Sequence, residues 1–293
     1  MYSTRAPSVV APMKLQATPK DVRPASQPSP QRALEGAWLA EPAGVWVLLP
    51  TYNEAANLEA IVSAVLDHLP PIRRILIIDD SSPDGTGRIA DHLAESHQDV
   101  SVLHRPEKRG LGPAYVAGFR VALEGGARFI AQMDADFSHS PADLPRLLEP
   151  LDEADLVLGS RYVRGGRVEN WGRVRRSLSR AGCLYARTVL GVGVQDLTGG
   201  FKIFRREVLE HLELDSISAL GYAFQVETTY RAMRAGFRVI EAPIVFRDRR
   251  VGESKMSPAI VAEAAWRVPA LRLATTRDLR RAGRLIPRPA SSD

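Results

Sequence analysis

Between residues 45 and 160 the sequence alternates short apolar runs with segments in which apolar residues recur at helical spacing. Buried strands are predicted at Val45-Trp-Val-Leu-Leu49, Arg74-Ile-Leu-Ile-Ile78 and Phe129 to Met133, which have the matching length and composition. A helical pattern from Leu58 to Leu66 separates the first two. Alternation of this kind is typical of an α/β fold in which a mostly parallel, doubly wound sheet carries helices on both faces. We predict that architecture.

Polar side chains follow these three strands, at the point where each strand ends. They are Tyr52 and Glu54, then Asp79 and Asp80, then Asp134 and Asp136. In doubly wound sheets, ligands bind beyond the carboxyl ends of the strands. Carboxylates in that position can accept hydrogen bonds from ribose hydroxyls or from base N–H groups. The three strand ends therefore predict one binding site at that edge of the sheet.

Asp134 and Asp136 are two residues apart, so their carboxylates can face one site. Two carboxylates held together repel each other, and burying either without a partner is unfavourable. A divalent cation removes both problems, and Mg²⁺ or Mn²⁺ prefers such oxygen ligands while leaving positions open for substrate phosphate. The alternative is a solvated turn before a helix that starts at Pro141. The acidic residues at the other strand ends favour the metal site.

The segment from Arg247 to Met256 is dense in cations and contains a potential glycine hinge, Gly252. A charge run of this kind is usually a solvated surface. Here it follows a predicted strand, Arg238 to Phe246, in the same domain as the acidic site. Because arginine and lysine are the usual partners of phosphate, we expect the segment to hold a phosphorylated substrate.

The net charge of +5 and the pI near 9.5 indicate an anionic partner, which is nucleic acid, a phosphorylated substrate or an acidic membrane surface. Aromatic residues form 6% of the chain and are not interleaved with basic residues along a strand, which argues against nucleic acid. The single cysteine, Cys183, excludes an internal disulfide framework and fits a reducing compartment.

The sequence divides into three parts. Residues 1–43 are rich in proline, serine and alanine and are predicted to form a disordered leader. Residues 44–256 form the folded domain, and residues 257–293 form a C-terminal helix and basic tail. No secretory signal is predicted, because the first thirty residues lack a continuous apolar core of the necessary length. No spanning helix is predicted either, because charged residues and a proline interrupt the longest candidate, at 258–274. The basic tail either lies on anionic lipid headgroups or packs on the domain.

Five motifs occur in order along residues 44–256. They are Pro50-Thr-Tyr-Asn-Glu54, Asp79-Asp-Ser-Ser-Pro-Asp-Gly-Thr86, Asp134-Ala-Asp136-Phe-Ser-His139, Gly159-Ser-Arg-Tyr162 and Arg249-x-x-Gly-x-Ser-Lys255. This set resembles the family-2 glycosyltransferases of the GT-A fold, and among them the dolichol- or polyprenol-phosphate mannosyltransferases. The resemblance implies transfer of mannose from GDP-mannose to a polyprenyl monophosphate, with inversion at the anomeric carbon.

The resemblance also implies a role for each matching residue. The guanosine would be cradled by Pro50, Tyr52, Glu54, Ile78 and Asp80, and the nucleotide would be contacted by Asp134 and Ala135. Asp136 would bind the Mg²⁺ or Mn²⁺ that bridges the diphosphate. Ser138 stands where some members have a glutamine as second metal ligand, so its hydroxyl or a water would complete the shell. The pyrophosphate and the acceptor phosphate would be held by Arg161, Arg249 and Lys255, with the loop around Gly252 closing over the donor.

A phosphate acceptor needs no general base, because its second pKa is about 6 and an oxyanion is already available at neutral pH. We therefore expect the catalytic residues, Asp136, Arg161, Arg249 and Lys255, to act through positioning and electrostatics. The enzyme is expected to be cytoplasmic and peripheral on the inner face of the membrane. A separate membrane protein is a second way to supply the anchor.

Other activities compete with this interpretation. Within the family, the alternative is transfer of glucose from UDP-glucose to the same lipid. Haloacid-dehalogenase-type phosphatases also place Asp-x-Asp after an apolar strand, but their motif opens the domain, whereas two strands and Asp79-Asp80 precede it here. A pure nucleotide-binding module is a further alternative. The glycine fingerprint of dinucleotide binding is absent after the first strand, where Pro50-Thr-Tyr-Asn-Glu54 stands instead, and this argues against a dinucleotide cofactor.

Overall fold

The computed structural model describes residues 44–69, 73–217, 221–248 and 266–274. The strands are β1 (Val45–Thr51), β2 (Arg73–Asp79), β3 (Val100–His104), β4 (Phe129–Gln132), β5 (Leu156–Ser160), β6 (Arg167–Glu169), β7 (Lys202–Arg205), β8 (Val239–Pro243) and β9 (Val245–Arg247). The helices are α1 (Leu58–His68), α2 (Thr86–Ser96), α3 (Leu111–Glu124), α4 (Leu144–Leu148), α5 (Arg173–Leu190), α6 (Arg206–His211), α7 (Gly221–Arg234) and α8, over residues 266–274. The predicted leader, Arg249, Gly252 and Lys255 lie outside the described residues, as do residues 257–265 and 275–293 of the predicted C-terminal helix and basic tail.

The main sheet has seven strands in the order β3-β2-β1-β4-β7-β5-β8. All neighbours run parallel except β7, which is antiparallel to both β4 and β5. This confirms the predicted mostly parallel sheet. The carboxyl ends of β1, β2 and β4 therefore meet at one edge, as the sequence pattern requires.

The side chains of β1 alternate between two hydrophobic cores, one on each face of the sheet. Val45, Val47 and Leu49 belong to one core, which α1, α2 and α4 cover. Trp46 and Leu48 belong to the other, which α3, α5, α6 and α7 cover. Because both faces are buried, the strand consists of a continuous apolar run rather than an alternating one.

A small second sheet pairs β6 in parallel with β9, with Arg167 opposite Val245 and Glu169 opposite Arg247. The sequence does not predict this pairing, because both strands are short and nearly eighty residues separate them. The pairing brings the chain just beyond β6 beside β9, with the Trp171 and Phe246 rings 5.3 Å apart. It supplies a wall of the site described below.

Across the described ranges, no helix is both long enough and apolar enough to span a bilayer.

Candidate active site

A cleft of about 310 Å³ opens beyond the carboxyl ends of the central strands. Nine of the residues predicted from the sequence line it: Pro50, Tyr52, Glu54, Asp80, Asp134, Ala135, Asp136, Ser138 and Arg161. These residues come from the ends of β1, β2, β4 and β5, so the sheet topology itself brings them together. The cleft is the candidate active site.

Ile78 and Asp79 do not line the cleft. The Ile78 side chain is fully buried in the core beneath α3, where a Cβ on Gly118 would lie only 2.4 Å from its Cδ1 atom. The Asp79 carboxylate instead accepts hydrogen bonds from the Ser82 hydroxyl at 2.6 Å and the Thr51 hydroxyl at 3.3 Å. Asp79 therefore stabilises the turn after β2, and the predicted ligand-facing role at this strand end is wrong for Asp79.

The Ser-Pro-Asp-Gly-Thr motif holds the loop after β1 against the start of α2. Asp84 accepts hydrogen bonds from the Thr86 N–H at 3.0 Å and from the Ala55 N–H at 3.1 Å. The Thr86 hydroxyl accepts one from the Glu54 N–H at 3.0 Å. Burial alone would raise the pKa of the Asp84 carboxyl, but the hydrogen bonds from Thr86 and Ala55 lower it below its usual value. Asp84 thus fixes the backbone that carries Glu54 into the cleft.

The cleft offers the aromatic ring of Tyr52 and the buried carboxylate of Asp80. Lys108 places its Nζ atom 3.6 Å from the centroid of the Tyr52 ring. Arg105 binds Asp80, with 2.6 Å between Nη1 and Oδ1. Burial raises the pKa of the Asp80 carboxyl above its usual value, although Arg105 opposes the shift. These groups can stack on a base and accept hydrogen bonds from it.

Asp134 and Asp136 lie in the loop after β4, which ends at Gln132. The loop turns sharply, since Phe137 adopts a φ of +61°. Its shape is held by the Ser138 N–H, which donates to Asp136 Oδ1 at 3.0 Å, and by the Asp134 N–H, which donates to His139 Nδ1 at 3.1 Å. The carboxylates therefore reach the cleft through loop geometry, not through the alternation of a strand.

The residues of this loop fit a divalent cation bound together with a diphosphate. The buried Ser138 hydroxyl has no hydrogen-bond partner among the described residues, and Asp134 and Asp136 supply carboxylates beside it. The described part of the chain holds no group of three or more His, Cys, Asp or Glu residues able to hold a metal. The protein therefore offers only part of a ligand shell, which suits Mg²⁺ or Mn²⁺ because these ions keep water and substrate phosphate as ligands.

Arg161 lies in the wall of the cleft with its charge already balanced. Its Nε and Nη2 atoms donate to the two oxygens of Asp196 at 2.7 and 2.6 Å, and the two side chains are 4% and 0% exposed. Burial opposes the charge on Arg161, but Asp196 raises the guanidinium pKa above its usual value. Glu241 in turn accepts a hydrogen bond from the Asp196 backbone N–H at 2.9 Å. Sequence reasoning missed Asp196 and Glu241, because no local signal assigns a partner to Arg161.

Further residues that the sequence did not single out as site residues also line the cleft: Lys108, His139, Trp171, Arg175, Thr198, Gly200, Gln225 and Phe246. Arg175 stacks over Trp171, with 4.2 Å between its Cζ atom and the ring centroid. Asp248 accepts hydrogen bonds from Arg175 at 2.9 and 3.0 Å. Arg175 thus adds a partly exposed cation to the cleft, beside the small sheet.

The sequence matches the family described as glycosyl transferase family 2 over residues 46–213, more than half of the chain. The chain belongs to this family. Membership confirms the resemblance carried by the five motifs and shows that the protein is a glycosyltransferase. The acidic loop after β4 is therefore the candidate donor site of a family-2 glycosyltransferase.

Two curated relatives within the family are similar over most of their length. Polyprenol monophosphomannose synthase of Mycolicibacterium smegmatis is 49% identical over 224 residues, which cover 76% of this chain and 84% of the relative. Undecaprenyl-phosphate mannosyltransferase of Micrococcus luteus is 48% identical over 224 residues, which cover 76% of this chain and 92% of the relative.

The fold is shared with a solved structure of glucosyl-3-phosphoglycerate synthase from Mycobacterium tuberculosis, in complex with Mn²⁺, UDP and phosphoglyceric acid. The TM-score is 0.64 at 19% identity, and the match covers 87% of this chain and 86% of that one. This similarity supports the predicted GT-A architecture.

Proposed function

We propose that this glycosyltransferase moves mannose from GDP-mannose to a polyprenyl monophosphate and inverts the anomeric carbon. The near-50% identity to two relatives that are named for mannosyl transfer to polyprenyl phosphates carries the proposal. The cleft agrees with it, because it joins aromatic and acidic residues, a carboxylate loop and cations. The aromatic and acidic residues suit a nucleoside, the carboxylate loop suits a metal-bound diphosphate, and the cations suit a second phosphate.

The donor would bind along the cleft in a fixed direction. Tyr52, Glu54 and Asp80 would hold the guanosine by stacking and by accepting hydrogen bonds from its N–H and hydroxyl groups. Asp136, with Asp134 and Ser138, would hold Mg²⁺ or Mn²⁺ on the diphosphate. When bound, such an ion neutralises the charge that collects on the leaving GDP.

The acceptor phosphate attacks without a general base, because one of its oxygens is already ionised near neutral pH. The task of the protein is to bring two anions together at a fixed angle. Arg175 and Arg161 would do so from the wall of the cleft. Arg249 and Lys255, which lie outside the described residues, would add the cations of the RxxGxSK motif.

A donor panel tests this function. With a polyprenyl phosphate acceptor, we expect kcat/KM for GDP-mannose to exceed that for UDP-glucose at least about 100-fold, because a site that hydrogen-bonds guanine leaves polar groups unpaired with uracil. Radiolabelled sugar in the lipid phase measures both rates. Equal or faster transfer from UDP-glucose would favour the alternative donor and contradict the proposal.

Membrane association is part of the same proposal, and the exposed apolar face of two helices supports it. We define this face by the six large apolar side chains that are exposed within the described residues: Val174, Leu178, Leu184 and Tyr185 of α5, and Trp266 and Leu273 of α8. Arg173 and Arg180 are also exposed on α5. Apolar side chains mixed with arginine suit an anionic lipid surface.

The exposed apolar face shares helix α5 with the cleft, because Arg175 of the same helix lines the cleft. An enzyme resting on this face would present its acceptor site to lipid phosphates without leaving the surface. We place it peripherally on the inner face of the membrane, where the reducing compartment fits a chain with one cysteine.

Vesicle sedimentation tests this placement. Replacing Arg173 and Arg180 together by glutamine should weaken binding to anionic vesicles about 30-fold, since each arginine near such a surface contributes about 1 kcal/mol. The matched control replaces Arg74 and Arg120, which are exposed elsewhere, and should change binding far less. If both double variants lose the same amount of vesicle binding, or if the unmodified protein does not bind vesicles, the exposed apolar face is not the membrane-binding surface.

A further inference from the structure

Gln225 of α7 lines the cleft with an amide group that the mechanism above does not use. Its side chain is 2% exposed, and neither Oε1 nor Nε2 has a hydrogen-bond partner among the described residues. Leaving the polar groups of a buried amide without hydrogen-bond partners is unfavourable. A buried amide that is unsatisfied at a cleft therefore indicates a ligand with polar groups of its own.

The cleft contains a small recess above Gly200, which faces this amide. A Cβ atom on Gly200 would lie 3.5 Å from Gln225 Nε2, 3.5 Å from His139 Cε1 and 3.8 Å from Asp134 Oδ1. The absence of a side chain at Gly200 therefore leaves space between an amide and a carboxylate. We call this space, bounded by Gly200, Gln225, His139 and Asp134, the Gly200 recess.

The backbone at Gln225 is held in place from below. Lys202 of β7 donates from Nζ to the Gln225 carbonyl oxygen at 2.6 Å, and the Thr229 hydroxyl donates to the same oxygen at 3.1 Å. Lys202 is fully buried, and the loss of water lowers the pKa of its ammonium group well below the usual value. A lysine buried to hold one carbonyl keeps the residue that bears the amide rigid, as a binding site requires.

The chemistry of the recess matches a hydroxyl group. The Gln225 amide can donate a hydrogen bond, and the Asp134 carboxylate can accept one. A hydroxyl group both accepts and donates hydrogen bonds, so one hydroxyl group can bind to both side chains at once. None of the four residues that define the recess is a lysine or an arginine, so these residues do not suit a phosphate. Asp134 links the recess to the loop after β4, while Tyr52 and Asp80 also line the cleft and would hold the nucleoside.

We propose that the Gly200 recess binds hydroxyl groups of the donor sugar, with Gln225 as the residue that distinguishes the hexose. This inference rests on the proposed function, since it requires a nucleotide-sugar donor. It deepens that function by assigning the sugar end of the donor to α7 and the turn before β7. Gln225 would contact the sugar and leave the nucleoside diphosphate untouched.

Binding measurements on two variants test the recess. For Gln225→Leu, calorimetry should show GDP affinity within about twofold of the unmodified enzyme, but GDP-mannose affinity about tenfold weaker and kcat/KM about 100-fold lower. Gly200→Ala should show the same pattern, because its Cβ would make ordinary contacts at 3.5 Å and fill the recess without disturbing the fold. The control is Gln195→Leu, the same change at an exposed position outside the cleft, which should alter neither ligand.

Two results would overturn the inference. If Gln225→Leu weakens GDP and GDP-mannose equally, the amide serves the nucleotide. If both affinities and kcat/KM stay unchanged, the recess holds only water. Failure of the proposed function has a different signature, because the unmodified enzyme would then transfer no mannose from GDP-mannose to lipid.

Discussion

Replacing Asp136 by asparagine is expected to lower kcat for mannosyl transfer about 10³-fold, which corresponds to about 4 kcal/mol of transition-state stabilisation. The Asp136 carboxylate is 5% exposed at the cleft and accepts the Ser138 N–H at 3.0 Å. Asparagine keeps an oxygen for this hydrogen bond, so the loop should retain its shape. What it removes is the negative charge that holds a divalent cation on the diphosphate.

Two measurements separate this loss from misfolding. Mn²⁺ binding in the presence of GDP should weaken in Asp136→Asn, while the unfolding transition stays near that of the unmodified enzyme. Asp143→Asn provides the control, since Asp143 pairs with Arg146 at 2.6 Å and does not line the cleft. Near-normal turnover by Asp136→Asn at ordinary metal concentration would refute the assignment of Asp136 as a metal ligand.

Replacing Asp196 by asparagine is expected to lower the free energy of unfolding by about 3–5 kcal/mol, because it leaves the buried Arg161 guanidinium without a counter-charge. The Asp196 side chain is fully buried and accepts three hydrogen bonds from Arg161, one of them from its backbone N–H. Burial raises the pKa of the Asp196 carboxyl, but Arg161 outweighs it and lowers the pKa below its usual value. The pair therefore stays ionised at neutral pH.

Urea unfolding at neutral pH measures this effect, and an exposed ion pair supplies the control. Asp215 pairs with Arg120 at the surface, with side chains 91% and 50% exposed, so Asp215→Asn should change stability by less than about 1 kcal/mol. Adding Arg161→Met to Asp196→Asn should restore part of the lost stability, because the buried charge is removed. Equal stability of Asp196→Asn and the unmodified enzyme would show that the pair is not required for the fold.

The sequence predicted the sheet and the position of the cleft, because both follow from local patterns. Continuous apolar runs mark strands that are buried on both faces, and the polar residues after them mark strand ends. Tyr52, Glu54, Asp80 and Asp136 reach the cleft for this reason. Asp79 does not reach the cleft, because its carboxylate accepts hydrogen bonds from Ser82 in the turn that follows its own strand.

The roles given to Arg161 and Ile78 rested on family resemblance, and the structure places the two side chains very differently. Arg161 lines the cleft, but its charge is satisfied by Asp196, so its role in phosphate binding stays a prediction. The Ile78 side chain packs in the core under α3. A motif identifies which positions matter, but it does not say whether a side chain faces ligand or core.

The sequence alone determined the α/β architecture, the family and the edge of the sheet where ligands bind. These features follow from the spacing of apolar residues and from composition, which are properties of residues that are neighbours in the chain. Tertiary structure alone decided that Arg161 meets Asp196, 35 residues away, that β6 pairs with β9, and that the Gln225 amide faces the Gly200 recess. Ion pairs and unsatisfied polar groups depend on which distant segments pack together, and no local pattern encodes that packing.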